Sequence, residues 1–201
     1  MVPALIGLLL VAAVVGVVVA ARRRGPRTLA IDPFTLGEPW RRHVAGALSA
    51  QRRYREIANA TPDGPLHDRL EMISTQVQQA VQECFEIARR GDDLNDTLRR
   101  FDTTSLQHQL ERAGDDTTRA SLQSQLDAAQ RIRTTRDDTD NRLKLLTTRM
   151  GELVAQAAEV SVGTDSTEQL GSGVGDVVTE LEALRLALND VNNTGRPASS
   201  P

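Results

Sequence analysis

One cysteine, one tyrosine, one tryptophan and three phenylalanines in 201 residues leave little material for a disulfide framework, a redox pair or an aromatic platform for stacked bases. Cys84 stands alone, so no intrachain disulfide can form. The histidines His43, His67 and His108 are scattered without an HxxxH or HExxH spacing or a paired cysteine, which leaves no transition-metal pattern. Asp137, Asp138 and Asp140 begin like a calcium loop. No glycine follows at its sixth position, however, and Thr148 stands where a bidentate glutamate belongs, so they read as a solvated helix face. Gly171-Ser172-Gly173-Val174-Gly175 precedes a helical pattern but has neither a preceding strand nor a Gly-Lys-Ser/Thr ending, and reads as a flexible hinge. Nucleophile elbows and Cys-His pairings are missing too. The sequence therefore points to a non-enzymatic chain, with no cofactor, metal, nucleic acid or small-molecule substrate evident.

Strand signals are equally scarce. Outside the first 21 residues there are almost no β-branched runs and no segment of period two, which gives an all-α fold class. Lysine occurs once, at Lys144; the arginine richness matches a coding bias better than selection for nucleic acid.

What the chain does have is an opening run, Val2 to Ala21, with no charge and no hydrogen-bonding side chain, closed by Arg22, Arg23 and Arg24. As a helix it spans about 30 Å, the hydrocarbon thickness of a bilayer, and predicts a transmembrane helix. A signal peptide carries its positive charge before the apolar run; here Met1 to Leu10 has none, so cleavage is disfavoured. Arg22, Arg23, Arg24 and Arg27 follow the run, which predicts a single pass of the cell membrane, N-terminus outside and C-terminal domain cytoplasmic. Ala12, Gly16 and Ala20 recur every four residues and would let a second helix approach, though small residues are common in any membrane helix. Arg22 to Asn59 holds nine arginines against Asp32, Glu38 and Glu56, whereas the remainder carries 15 basic and 24 acidic residues. The basic part attracts an anionic inner leaflet, or merely enforces topology.

Beyond the basic stop, residues 25–38 read as a linker, broken by Pro33, whose Leu29, Ile31, Phe34 and Leu36 need either the bundle or the headgroup zone as a surface. Residues 39–91 predict a helical hairpin. Its first stripe is Trp40, Val44, Ala47, Gln51, Tyr54 and Ala58; Thr61 to Pro65 turns the chain; Leu70, Ile73, Val77, Cys84 and Ile87 form the second stripe; Gly91 terminates it. Arg41, Arg52 and Arg55 flank the first stripe, as a solvated edge or as a site for lipid or an acidic partner. Residues 92–115 predict short helices, with Gly91-Asp92-Asp93 and Gly114-Asp115-Asp116 as one repeated stop-and-cap device. Residues 116–191 predict a long helix and a return helix. The ten residues Arg133 to Arg142 carry no apolar side chain, but the phase of Ala129 and Ile132 resumes at Leu143 and Leu146, which favours continuity over a turn. Ser161 to Gly173 reads as a flexible connection, Val174 to Val191 as a clean heptad seam, and residues 192–201 as a disordered tail. The architecture expected is an N-terminal transmembrane helix followed by an elongated antiparallel helical bundle or coiled coil.

Ile31 to Ala58, with Val81 to Arg90 and Thr179 to Leu188, resembles an uncharacterised actinobacterial family of single-pass, membrane-anchored coiled-coil proteins with no known activity; the distinctive motif is Asp32-Pro33-Phe34 to Gly37-Glu38-Pro39-Trp40-Arg41. The resemblance implies a tethered cytoplasmic coiled coil and carries no site residues. Two functional expectations follow: a membrane-anchored scaffold or protein-interaction module that recruits partners or self-associates, and a membrane-stress or envelope signalling element whose two sub-bundles move about Gly91 and Gly114.

Overall fold

The computed structural model describes residues 31–163 and 166–194, with side chains described as far as 189. The predicted transmembrane helix, its Ala12, Gly16 and Ala20 stripe, and the basic residues Arg22, Arg23, Arg24 and Arg27 lie outside the described residues. Among those described, no helix is long and apolar enough to cross a membrane.

All regular structure among the described residues is helical: α1 Trp40–Ala60, α2 Pro65–Arg100, α3 Thr103–Arg112, α4 Asp116–Ser161 and α5 Thr167–Thr194, preceded by a 3-10 turn at Pro33–Thr35. Asp32 caps that turn by accepting from the Phe34 amide at 2.9 Å. The linker's apolar residues divide. Leu36 is buried, whereas Phe34 remains 80% exposed. The Gly37 amide donates to Asp92 Oδ2 at 3.3 Å and Arg41 Nε donates to the Leu36 carbonyl at 3.1 Å, so the motif forms an elbow that seats the start of α1 against α2.

At the centre of that seat the Trp40 ring lies on Gly91; a Cβ built on Gly91 would stand 2.3 Å from the indole. This corrects the expectation that Gly91 ends a helix. Helix α2 runs through it without interruption to Arg100, because a residue without a side chain is what lets the fully buried indole reach the helix backbone. Asp92 belongs to the elbow and caps nothing. The similar tripeptide at Gly114 does behave as a stop and cap: α3 ends at Arg112, and Asp115 accepts from the Thr118 amide at 2.7 Å to start α4. Hydrogen bonds from Thr118, its backbone amide first, hold the Asp115 carboxyl below the usual carboxylate range.

Pairings along the chain give the directions. Trp40 meets Gly91 while the Tyr54 hydroxyl donates to the Leu70 carbonyl at 3.0 Å, so α1 and α2 are antiparallel. Gly173 approaches Leu153 and Glu180 pairs with Arg149, so α4 and α5 are antiparallel as well. The two hairpins then lie together with like directions adjacent: Arg69 reaches Thr167, Gln79 reaches Glu182, and Arg90 donates to the Arg185 carbonyl along α2 and α5. Helices α2 and α4 also pack on each other, which makes them the central pair. The bundle is thus antiparallel within each hairpin and parallel between α2 and α5. Helix α3 packs on α4 without burying a residue of its own.

Helix α4 is continuous for 46 residues, about 69 Å, through Arg133 to Arg142. Thr139 occupies the seam there at 1% exposure, its hydroxyl donating to the Thr135 carbonyl at 2.7 Å, so the buried polar atom is satisfied by its own helix. The expected flexible connection Ser161 to Gly173 is shorter than its composition suggests. Helix α5 begins at Thr167, buries Leu170, and carries Gly171, Gly173 and Gly175 within its turns. A Cβ on Gly173 would stand 2.7 Å from Leu153 Cδ2, so this glycine is a contact between helices, not a hinge. At the other end α5 continues to Thr194, past the expected start of the tail at 192; residues 195–201 lie outside the described residues.

Alanine normally stabilises a helix interior relative to glycine by about 0.5–1 kcal/mol. Gly46→Ala, where nothing lies within 4 Å of the added carbon, is expected to follow that rule, and Gly91→Ala to reverse it with a loss of about 1–3 kcal/mol from overpacking against Trp40. Urea unfolding of the two variants beside the parent chain checks the contrast; a stabilising Gly91→Ala would show that the indole contact does not constrain the fold.

Candidate functional site

Two titratable side chains meet between helices α1 and α4. His43 Nε2 lies 2.6 Å from Asp140 Oδ1, across the α1–α4 interface. A carboxylate only accepts, so Nε2 carries the proton in this pair. The imidazole side chain is 8% exposed, and its ring sits 6.3 Å from that of Trp40 at 63°. A His–Asp pair serves nucleophilic catalysis only when a hydroxyl or thiol completes it. None does so here: among the described residues the His43 ring has no hydroxyl or thiol as a hydrogen-bond partner, and its one bond is to Asp140. The arrangement is a polar latch that fixes α1 against α4.

Cys84 is buried among the seam residues of α2, and burial pushes its thiol up from an ordinary 9.0 to about 12. A thiol held neutral is a poor nucleophile. Burial likewise raises the Tyr54 phenol, the negative charge of Glu71 adding to the effect. No group of three or more His, Cys, Asp or Glu side chains among the described residues is arranged to hold a metal ion. Asp137 and Asp138 are exposed, as expected of a solvated face, whereas Asp140 is the partner of His43.

The surface is more informative. Helix α1 carries Arg41, Arg42, Arg52, Arg53 and Arg55 against Glu56. Arg41 and Arg42 approach Glu38, while Arg52, Arg53 and Arg55 have no ion-pair partner among the described residues. Between α1 and α4 runs an open groove of about 800 Å³, lined on α1 by Arg53, Glu56, Ile57 and Ala60, on α4 by Gly151, Val154, Ala155 and Ala158, and just past the end of α4 by Val162. Val162 is 74% exposed. A second, polar groove of about 700 Å³ lies between α4 and α5 around Arg149, Gln156, Asp176 and Glu180. Both are shallow troughs between neighbouring helices, unlike the enclosed pockets in which small ligands are buried.

No family model, curated protein or solved structure matches the chain. The residues that sequence reasoning singled out as a site, Arg22 to Arg27 and the Ala12, Gly16 and Ala20 stripe, lie outside the described residues; the groove, His43–Asp140 and the Gly91 seat are features that reasoning missed. Only small residues at three- and four-residue spacing on α4, from Gly151 to Ala158, signalled the groove in advance.

The unfolded chain ionises Cys84 from about pH 9 upward while the fold keeps it neutral, so the unfolded state binds fewer protons there and stability must fall as pH rises. The slope approaches about 1.4 kcal/mol per pH unit for this residue between pH 9 and 12. Urea unfolding at a series of alkaline pH values is expected to show that fall, and Cys84→Ala to flatten it between pH 9 and 10, above which the raised Tyr54 phenol adds a fall of its own; a native Cys84 that reacts readily with a thiol reagent at pH 8 would contradict the burial.

Proposed function

We propose that the chain is a non-enzymatic, single-pass membrane protein whose helical bundle serves as a scaffold or interaction module on the cytoplasmic face of the cell membrane. The carrying observation is the uncharged run Val2 to Ala21 ending at Arg22, Arg23 and Arg24. The bundle supports the reading from the other side. Its described surface offers open, helix-lined grooves and a basic α1 face, the kind of relief that takes helices, protein surfaces or anionic lipid. The partners are accordingly the membrane, with its anionic inner leaflet, and protein, including further copies of the chain. The competing idea of two sub-bundles that move about Gly91 and Gly114 keeps only the second of its breaks, because Gly91 lies inside α2 beneath Trp40.

Membranes from cells expressing the full chain are expected to retain it through alkaline carbonate extraction, and a C-terminal reporter active only in the cytoplasm is expected to work. Replacing Arg22, Arg23 and Arg24 together by glutamate should disturb the orientation, since basic residues next to a span hold it on the cytoplasmic side. Release into the carbonate supernatant, or a reporter active only outside, sinks the proposal.

A further inference from the structure

The groove between α1 and α4 has a pattern that a second copy of the same chain would complete. On α4 and its C-cap Val162, the residues Lys144, Thr148, Gly151, Ala155, Glu159 and Val162 recur at spacings of four and three and so share one stripe; all but the half-buried Gly151 are exposed. A Cβ on Gly151 would find nothing within 4 Å, as is true of Gly46 and Gly175, and of these three it is Gly151 that lines the groove. Glycine in the interior of a helix is destabilising relative to alanine, and an uncontacted one yields no side-chain packing within the monomer to offset that. Close approach of another backbone does offset it.

We propose that two copies pair through this groove about a twofold axis that crosses α1 and α4 near Gly151, each helix lying antiparallel to its own counterpart. A twofold interface must be complementary to itself, residue i meeting j while j meets i. The groove meets that condition. His43 beside Asp140, and Ile57 with Val154 in one groove, set the level of α1 against α4, which puts the midpoint between Arg53 and Glu56 level with Gly151. Rotation about that level sets each Arg53 against the other copy's Glu56, and neither residue has an ion-pair partner among the described residues. The same rotation sets Thr148 against Ala155, and Lys144 against Glu159, seven residues before and eight after Gly151. Small side chains then meet at the axis and opposite charges meet on both flanks. Charge complementarity and the empty glycine together favour a copy of this chain over an unrelated helix, which has no reason to share the axis.

The inference rests on the self-association allowed under the proposed function but not on the membrane anchor. Its test uses the full chain in neutral detergent, with oligomeric state read by sedimentation equilibrium. The wild-type chain is expected to dimerise. Arg53→Glu, which sets like charges together across the axis, should weaken the dimer by about tenfold, and Arg53→Glu combined with Glu56→Arg, which restores opposite charges, should recover most of that loss. Gly151→Leu should abolish pairing while leaving the helical circular dichroism unchanged. Gly16→Leu, in the N-terminal apolar run, should leave the dimer intact. A wild-type monomer at tens of micromolar, equal weakening by the single and the paired charge substitutions, or a dimer lost on Gly16→Leu and not on Gly151→Leu overturns the proposal. Carbonate extraction of the same variants reads the anchor separately, so loss of pairing and loss of anchoring cannot be confused.

Discussion

The contact between the Trp40 indole and the bare backbone at Gly91 fixes more of this structure than any other single feature. Heptad seams alone specify that helices pack but leave their axial level loosely set, because one apolar layer resembles the next. An indole that fits only over a glycine removes that freedom. The elbow from Asp32 to Pro39 reinforces it through Leu36 and the Gly37–Asp92 hydrogen bond, so the entry of the chain and the level of α1 on α2 are set together. One turn further on, His43 is thereby placed to meet Asp140, and the level of α4 follows. Truncation of a buried tryptophan to alanine costs about 3–5 kcal/mol in general, a large share of the stability of an ordinary domain.

Glycines carry much of the information here, and they divide by what surrounds them. Gly91 and Gly173 are occupied from outside by Trp40 and Leu153, so both are packing sites inside helices. Gly151 meets nothing, and neither do Gly46 and Gly175. A helix gains nothing from an uncontacted glycine, whereas one under a side chain from the next helix is part of the core. The contrast separates glycines that build the monomer from those that the monomer does not explain.

The seams of the bundle were legible because periodicity is local. Val44, Ala47, Tyr54 and Ala58 on α1, Leu70 to Ile87 on α2, and Val174 to Leu188 on α5 are buried as their spacing requires. Continuity of α4 through its polar stretch was legible from recovered phase. The fates of Gly91 and of the Gly171 to Gly175 cluster were not, since composition cannot tell a glycine that ends a helix from one that receives a neighbouring side chain; the deciding atoms belong to Trp40 and Leu153, which are distant in sequence or on another helix. Asp140 was misplaced for the same reason, being 97 residues from its histidine. The parallel arrangement of α2 beside α5 was hidden as well, because a hairpin pattern gives direction within each pair but not which pair face meets which.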